Sequence, residues 1–254
     1  MKQSLLLLVL VLMFCFPPKS IAQQNVKDSV IDVTMLYLGG GISLPGGDLA
    51  DRFGLTLSAQ PGAWYKSSGN WMFNLNFAYH FGTDVKIADS LFKYLETSGG
   101  FIIDGNGSPT DVAVSERAMN LSVQVGKLFP AFGFNPNSGI FFTAGGGYLQ
   151  HKIHITVLDN VAPQLNDDYR KGYDRLTGGF CLNQSLGFLN LSNKNVANFF
   201  VALEFTEAFT KSLRDYDFDL MKPDTQSRFD LMYGLKIGWI LPIYGRAPKE
   251  FYYY

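Results

Sequence analysis

Between residues 71 and 81 every odd position is bulky and apolar (Trp71, Phe73, Leu75, Phe77, Tyr79, Phe81), while Met72, Asn74, Asn76, Ala78 and His80 between them are mostly polar or small. Successive side chains of a strand point to opposite faces, so this period of two predicts one oily face and one wet face. At strand rise and barrel tilt, about ten such residues cross a bilayer core, and aromatics at both ends of the oily face suit its two interfaces. The same code returns near the end, where Phe229, Leu231, Tyr233, Leu235, Ile237, Trp239 and Leu241 alternate with Arg228, Asp230, Met232, Gly234, Lys236, Gly238 and Ile240. Met119, Leu121, Val123 and Val125 stand in the same way against Asn120, Ser122, Gln124 and Gly126, and Phe199, Val201, Leu203 and Phe205 against Phe200, Ala202, Glu204 and Thr206.

Extending this reading along the chain predicts eight strands, over 33–44, 54–65, 71–81, 115–128, 140–157, 178–191, 196–209 and 227–241. The connections between them alternate: long, short, long, short. That rhythm is the mark of a membrane barrel with tight turns on one side and loops on the other. An even strand count closes the sheet without an exposed edge. A soluble barrel with its apolar face inward is disfavoured by volume, because eight strands leave an interior only just wide enough for side chains. The expected fold is therefore all-β, a closed eight-stranded antiparallel up-and-down transmembrane β-barrel. Gly39-Gly40-Gly41, Pro61 and Gly145-Gly146-Gly147 mark places where bulges or bends are expected.

The first residues read as a secretory signal. Lys2 supplies a short positive region, residues 5–16 an apolar run, and Pro17-Pro18 a break before Ser20-Ile21-Ala22, so cleavage is expected between Ala22 and Gln23. The apolar run is shorter than the roughly twenty residues a spanning helix needs. The expected organisation is a signal peptide over 1–22, a periplasmic segment over 23–32, the barrel over 33–241 and a periplasmic tail over 242–254, with both termini periplasmic and the long loops outside. Losing residues 1–22 removes Lys2 and Lys19 and no acid, which takes the formal net charge from −1 to −3 and leaves no electrostatic footprint for nucleic acid. Cys181 is the one cysteine beyond that leader, which excludes an intrachain disulfide and suits a structural thiol inside a strand. Aromatics at 15% and 26 glycines favour strands, turns and interface belts over a helical domain.

On this alternation and loop rhythm the chain resembles the small eight-stranded outer-membrane barrels, the OmpA/OmpX-like class, over nearly all of its mature length. The resemblance implies residence in the outer membrane, contact with its lipid and lipopolysaccharide, and recognition by the barrel-insertion machinery during biogenesis. Gly234, Ile237 and Trp239 look like the sorting signal such proteins carry on the last strand. One departure is the stretch from Pro242 to the terminal Phe251-Tyr252-Tyr253-Tyr254, since the class usually ends on an aromatic at the close of that strand.

The wet face places Gln60, Asn74, Asn76, Glu116, Asn120, Gln124, Asn183, Glu204, Arg228, Asp230 and Lys236 inside the barrel. Charges in a narrow interior need partners, so an internal network of Glu204, Arg228, Asp230 and Lys236 is expected to plug the lumen; a narrow, porin-like pore is the alternative. Some small barrels are rim-sited lipid-modifying enzymes with a Ser and a His, but His80, His151 and His154 accompany no nucleophile motif. His151 and His154 are three apart, on opposite faces of a regular strand, which argues against joint metal ligation. Asp104-Gly-Asn106-Gly-Ser108 opens like a calcium loop but has Pro109 where Gly is needed and Ser115 where Glu is needed. Asp215, Asp217 and Asp219 could gather a divalent ion, but read rather as solvated loop charge between Lys211, Arg214 and Lys222. No cofactor is expected. The connection that opens at Gly82 and closes at Val114 is the most individual feature: Ile87, Leu91 and Leu95 recur every four residues and predict an amphipathic helix over 84–97, stopped by Gly99-Gly100. The expected function is a non-enzymatic structural or interaction role, accessory to an envelope or secretion assembly, with an envelope protein partner meeting either that loop or the C-terminal tail.

Overall fold

The computed structural model describes residues 29–157, 162–192 and 197–244. The chain divides into two units: residues 25–243 hold the ring of strands, and residues 1–24 with 244–254 lie, Tyr244 apart, outside the described residues. The expected cleavage site at Ala22 and Gln23 and most of the expected tail fall outside them as well.

The strands are β1 (Val33–Gly47), β2 (Thr56–Lys66), β3 (Trp71–Gly82), β4 (Ile102–Ile103), β5 (Pro109–Thr110), β6 (Val112–Phe129), β7 (Gly139–Val157), β8 (Thr177–Asn190), β9 (Phe199–Ser212) and β10 (Ser227–Tyr244). Eight of them close a barrel in the order β1-β10-β9-β8-β7-β6-β3-β2, while β4 and β5 pair only with each other in a loop. The protein is thus the closed antiparallel barrel that its alternation predicts. The β1–β2 ladder runs in constant register through Gly39–Gly41, and both ladders of β7 run in constant register through Gly145–Gly147, so the second run is no bulge and the first is none against β2. Only at Gln60 and Pro61 does the β2–β3 ladder lapse, as expected of a residue without an N–H, and it resumes in the same register at Gly62.

Outside, the oily face is bare on every strand: Leu38 is 63% exposed, Leu75 51%, Val123 63%, Leu186 48%, Leu203 49% and Ile237 60%. A belt of this size is untenable in water and is what a bilayer requires of a spanning barrel. Trp71, Phe129, Phe199 and Trp239 sit toward the short-turn end of the belt, and Phe81, Phe180, Phe209 and Phe229 toward the long-loop end. At the short-turn end Phe132 and Phe134 stand 87% and 88% exposed on the β6–β7 turn, with Phe132 at φ 60°.

Inside, the ring is not uniformly small and polar. Across the short-turn half Trp64 packs edge to face on Phe141 and Phe200, and Tyr37 meets Phe200 edge to face and Trp64 at a tilt, with ring centroids 4.7 to 5.3 Å apart. Two inward glycines make the room. A side chain at Gly62 would strike the Tyr37 hydroxyl at 2.2 Å, and one at Gly238 the Phe200 ring at 2.4 Å. Large rings opposite missing side chains fill a narrow barrel without overfilling it.

The predicted helix over 84–97 is a correction. Only Ala88–Leu91 makes a helical turn, and the chain then tightens, with the Leu95 N–H bonded to the Phe92 carbonyl at 2.7 Å. A single turn is marginal alone, and what holds this one is burial: Leu91 and Phe92 are buried, and Ile87 and Leu95 pack on the same cluster. The periodic residues share an apolar side without a continuous helix to carry them.

Candidate functional site

The lumen holds three levels of side chains. At the short-turn mouth the Lys66 ammonium, itself fully buried, donates to the Asn137 amide oxygen at 2.9 Å and to the Ile31 carbonyl at 3.2 Å. Asn137 also accepts from the Ile31 N–H at 3.0 Å and donates to the Ser29 carbonyl at 2.7 Å, so the segment entering β1 is pinned across that mouth.

The middle level is polar. Lys236 Nζ donates to Asn76 Oδ1 at 2.9 Å and to Glu204 Oε1 at 3.4 Å, and lies 4.7 Å from the centre of the Tyr37 ring. The Tyr37 hydroxyl donates to Asn76 at 2.8 Å, and Gln60 Nε2 donates to Glu204 Oε2 at 2.8 Å. Asn120, Asn183 and Thr206 form a second cluster beside it, with Asn120 Nδ2 donating to Asn183 Oδ1 at 2.7 Å. The cavity left among Ser43, Gln60, His80, Asn120, Glu204 and Thr206 is about 20 Å³, room for roughly one water.

Of the four expected charges, the structure therefore brings Glu204 and Lys236 together, while Asp230 and Arg228 sit apart from them. Asp230 accepts from Thr210 and lies 3.0 Å from His151 Nε2. Arg228 pairs with Asp224 at the long-loop mouth. The internal plug is two networks rather than one, because Lys236 and Arg228 sit eight residues apart along β10 and cannot share a partner at strand rise.

Above them the loops fold into a cap. Leu49 and Phe53 from the β1–β2 loop, Val85, Leu91, Phe92 and Ile102 from the β3–β6 loop, and Leu165 and Tyr173 from the β7–β8 loop join Leu149, Ile153 and Met232 of the barrel in one buried cluster. The Phe53 ring meets His151 edge to face, closing the lumen over the His151–Asp230 pair. The β9–β10 loop is knitted in by the Phe218 N–H, which donates to the Gly172 carbonyl at 2.8 Å, and by the Phe218 ring against Tyr173.

An ionic clamp lies over this cluster. Arg175, at φ 48°, donates through Nε to Asp219 at 3.0 Å, and its Nη1 lies 3.8 Å from Asp217 and 3.9 Å from Asp224. Arg214 holds Asp174 through two bonds, at 2.9 and 2.6 Å. Arg52, whose Nη1 donates to Thr177 at 3.0 Å, is pulled down to about 10 by burial first and then by Arg228 and Arg175. Burial and the neighbouring Asp219 and Asp224 push Asp217 up, against the pull of Arg175. Burial also acts on Asp224, but Arg228, the Gln226 N–H and Arg52 outweigh it and hold that carboxyl below its ordinary value. So Asp217 and Asp219 are clamp members, while the Asp104 carboxylate accepts from the Asn106 and Ser108 N–H groups at 2.8 Å as the centre of a turn.

His80 and His151 face the lumen and are buried, whereas His154 stands on the outer wall. Sequence reasoning did not single out Arg52, Arg175 or Tyr37. Arg52 and Arg175 lie in loops, where no periodicity marks them; Tyr37 stands at an odd position among apolar residues and was indistinguishable from a wall aromatic until its neighbours were placed.

No family model matches the chain, and no curated protein matches it in sequence. Among solved structures the barrel is similar to the attachment invasion locus protein Ail of Yersinia pestis, at 10% identity and TM-score 0.41 over 83% of this chain and 99% of that one. It is also similar to Neisserial surface protein A, at 10% identity and TM-score 0.39 over 81% and 96%. A third likeness is to the outer membrane protein OprG of Pseudomonas aeruginosa, at 12% identity and TM-score 0.39 over 86% and 99%.

Proposed function

We propose that the protein is a non-enzymatic, non-conducting barrel of the outer membrane, with its termini in the periplasm and its capped loop end outside, whose task is to present that cap to a partner of the cell envelope or the outside. The observation that carries this reading is the packed cap: four loops share one apolar cluster, and an ionic clamp ties the β7–β8 loop to the β9–β10 loop, directly over a filled lumen. Loops ordered to this degree form a fixed surface, and a fixed surface on a rigid ring is how binding residues are commonly held. The buried His151–Asp230 pair lies beneath Phe53, away from any lipid headgroup, which argues against a role in lipid modification.

Planar-bilayer recording of the purified protein tests the closed lumen, with a silent bilayer expected and reproducible single-channel steps overturning it. Mass spectrometry of lipid A from cells with and without the gene tests the absence of lipid chemistry. An unchanged profile is expected, and a gained or lost acyl chain would refute the reading.

A further inference from the structure

At the height of Phe81, Phe180 and Phe209 the outer wall is largely apolar; on β9 the single charges Glu207 and Lys211 flank Phe209, and on β6 and β7 cations stand side by side. There Arg117 and Lys152 are direct cross-strand partners on the outward face, and His154 stands one outward position farther along β7. Like charges placed opposite each other on a ladder repel. Among the described residues none of the three makes an ion pair: Arg117 donates to its neighbouring Glu116 carbonyl at 2.7 Å, and the Glu116 carboxylate, which faces the lumen, is the acid that feels its charge. Arg117, Lys152 and His154 line one hollow of the wall.

Two hollows meet at this place. One, about 250 Å³, lies toward the cap between Lys152, His154, Arg170, Lys171 and Arg214; its carboxylates Asp167 and Asp174 are engaged by Arg170 and Arg214. The other, about 340 Å³, lies toward the belt and adds Tyr79, Arg117, Met119 and Gln150. Below it the wall continues without interruption through Phe77, Leu121 and Tyr148, all exposed. The wall is therefore amphiphilic over a short height, with unpaired cations above and bare apolar surface beneath.

We propose that this face binds a phosphorylated lipid of the leaflet at the long-loop end, with a phosphate between Arg117 and Lys152 and the acyl chains along Phe77, Leu121 and Tyr148. A phosphate there turns a repulsive pair into a bridged one, since a guanidinium and an ammonium both donate charge-assisted bonds to its oxygens. A lipid rather than a free anion is the occupant because the apolar hollow is continuous with the cationic one. The inference rests on the barrel spanning a membrane, but not on the cap having a partner.

The test is native mass spectrometry of the full-length mature barrel released from detergent with diphosphorylated lipid A, its dephosphorylated analogue and inorganic pyrophosphate. The wild type should retain the diphosphorylated lipid at least about tenfold better than the Arg117→Gln/Lys152→Gln variant does, the equivalent of losing one charge-assisted hydrogen bond. A Lys127→Gln/Lys211→Gln variant, which removes the same charge elsewhere on the wall, should bind like the wild type. Equal retention by all three proteins overturns the proposal. So does full displacement of the lipid by millimolar pyrophosphate, which would assign the site to a free anion. If the first variant fails to fold, the ratio of phosphorylated to dephosphorylated lipid on the wild type decides alone, and a ratio near one refutes the site. Channel activity or a missing cap partner would leave all of these readings unchanged, so failure of the cap reading is recognisable separately.

Discussion

Lys236 shows how one side chain can be both a liability and a fastener. Its ammonium sits beside two aromatic rings and is matched by Glu204 and Asn76. Breaking a buried ion pair by removing one partner costs about 3 to 5 kcal/mol, because the remaining charge is left uncompensated. Glu204 keeps 18% of its side chain exposed and a bond from Gln60, so Lys236→Met is expected to cost about 3 kcal/mol, at the lower end of that range. Urea unfolding in detergent should show it, with Glu204→Gln on top restoring more than half; an unchanged midpoint would sink the assignment. That Glu204 and Lys236 face inward was legible in the alternation, since both lie at even positions of strands whose odd positions are apolar. Their pairing was not, because it depends on the β9–β10 register, which sets Lys236 opposite Ala202 and leaves Glu204 one step along the same face.

At the scale of elements the strands were legible and the loops were not. A period of two is set by backbone geometry and survives in any strand with one face in lipid. The cap obeys no such period, because its residues meet by long-range packing of four separate connections. Ile87, Leu91 and Leu95 announced an apolar side correctly, yet the turn that carries Leu91 exists only because the mouth of the barrel receives it. Leu91→Ala should therefore loosen the cap by about 2 to 5 kcal/mol while leaving the ring intact. Hydrogen exchange would show faster exchange over residues 84–110 and unchanged protection in β8 and β9, whereas uniform acceleration would mean that cap and ring melt together. The clamp adds a pH signature. Asp217 is raised by burial, so its ionised form weakens the folded cap near neutrality, and that cost is relieved as the pH falls through its raised value. Asp224 is depressed, so its contribution is present above 3.8 and lost as the pH falls through its lowered value. Cap protection should pass through a maximum on the acid side of neutrality and collapse below the ordinary carboxylate range. A flat profile would show that neither carboxyl matters to the cap.

For the whole molecule, closure into a ring leaves no strand edge for another chain to join, and the bare outer belt commits that ring to lipid. The two ends then differ in kind: a wide cap at one, and at the other tight turns with Phe132 and Phe134 projecting and the entering segment latched by Lys66 and Asn137. Loops pack over one end and the entering segment crosses the other, and between them Cys181 lies fully buried, bonded to Asn183 and Asn120, as the only thiol among the described residues. The protein thus carries its own clock for breathing. A water-soluble thiol reagent added to the folded barrel reads, from its rate of labelling, how often the ring or its lid opens far enough to admit it. Leu91→Ala should quicken that clock, and a reagent that reacts at once with the wild type would mean that the lid is ajar most of the time.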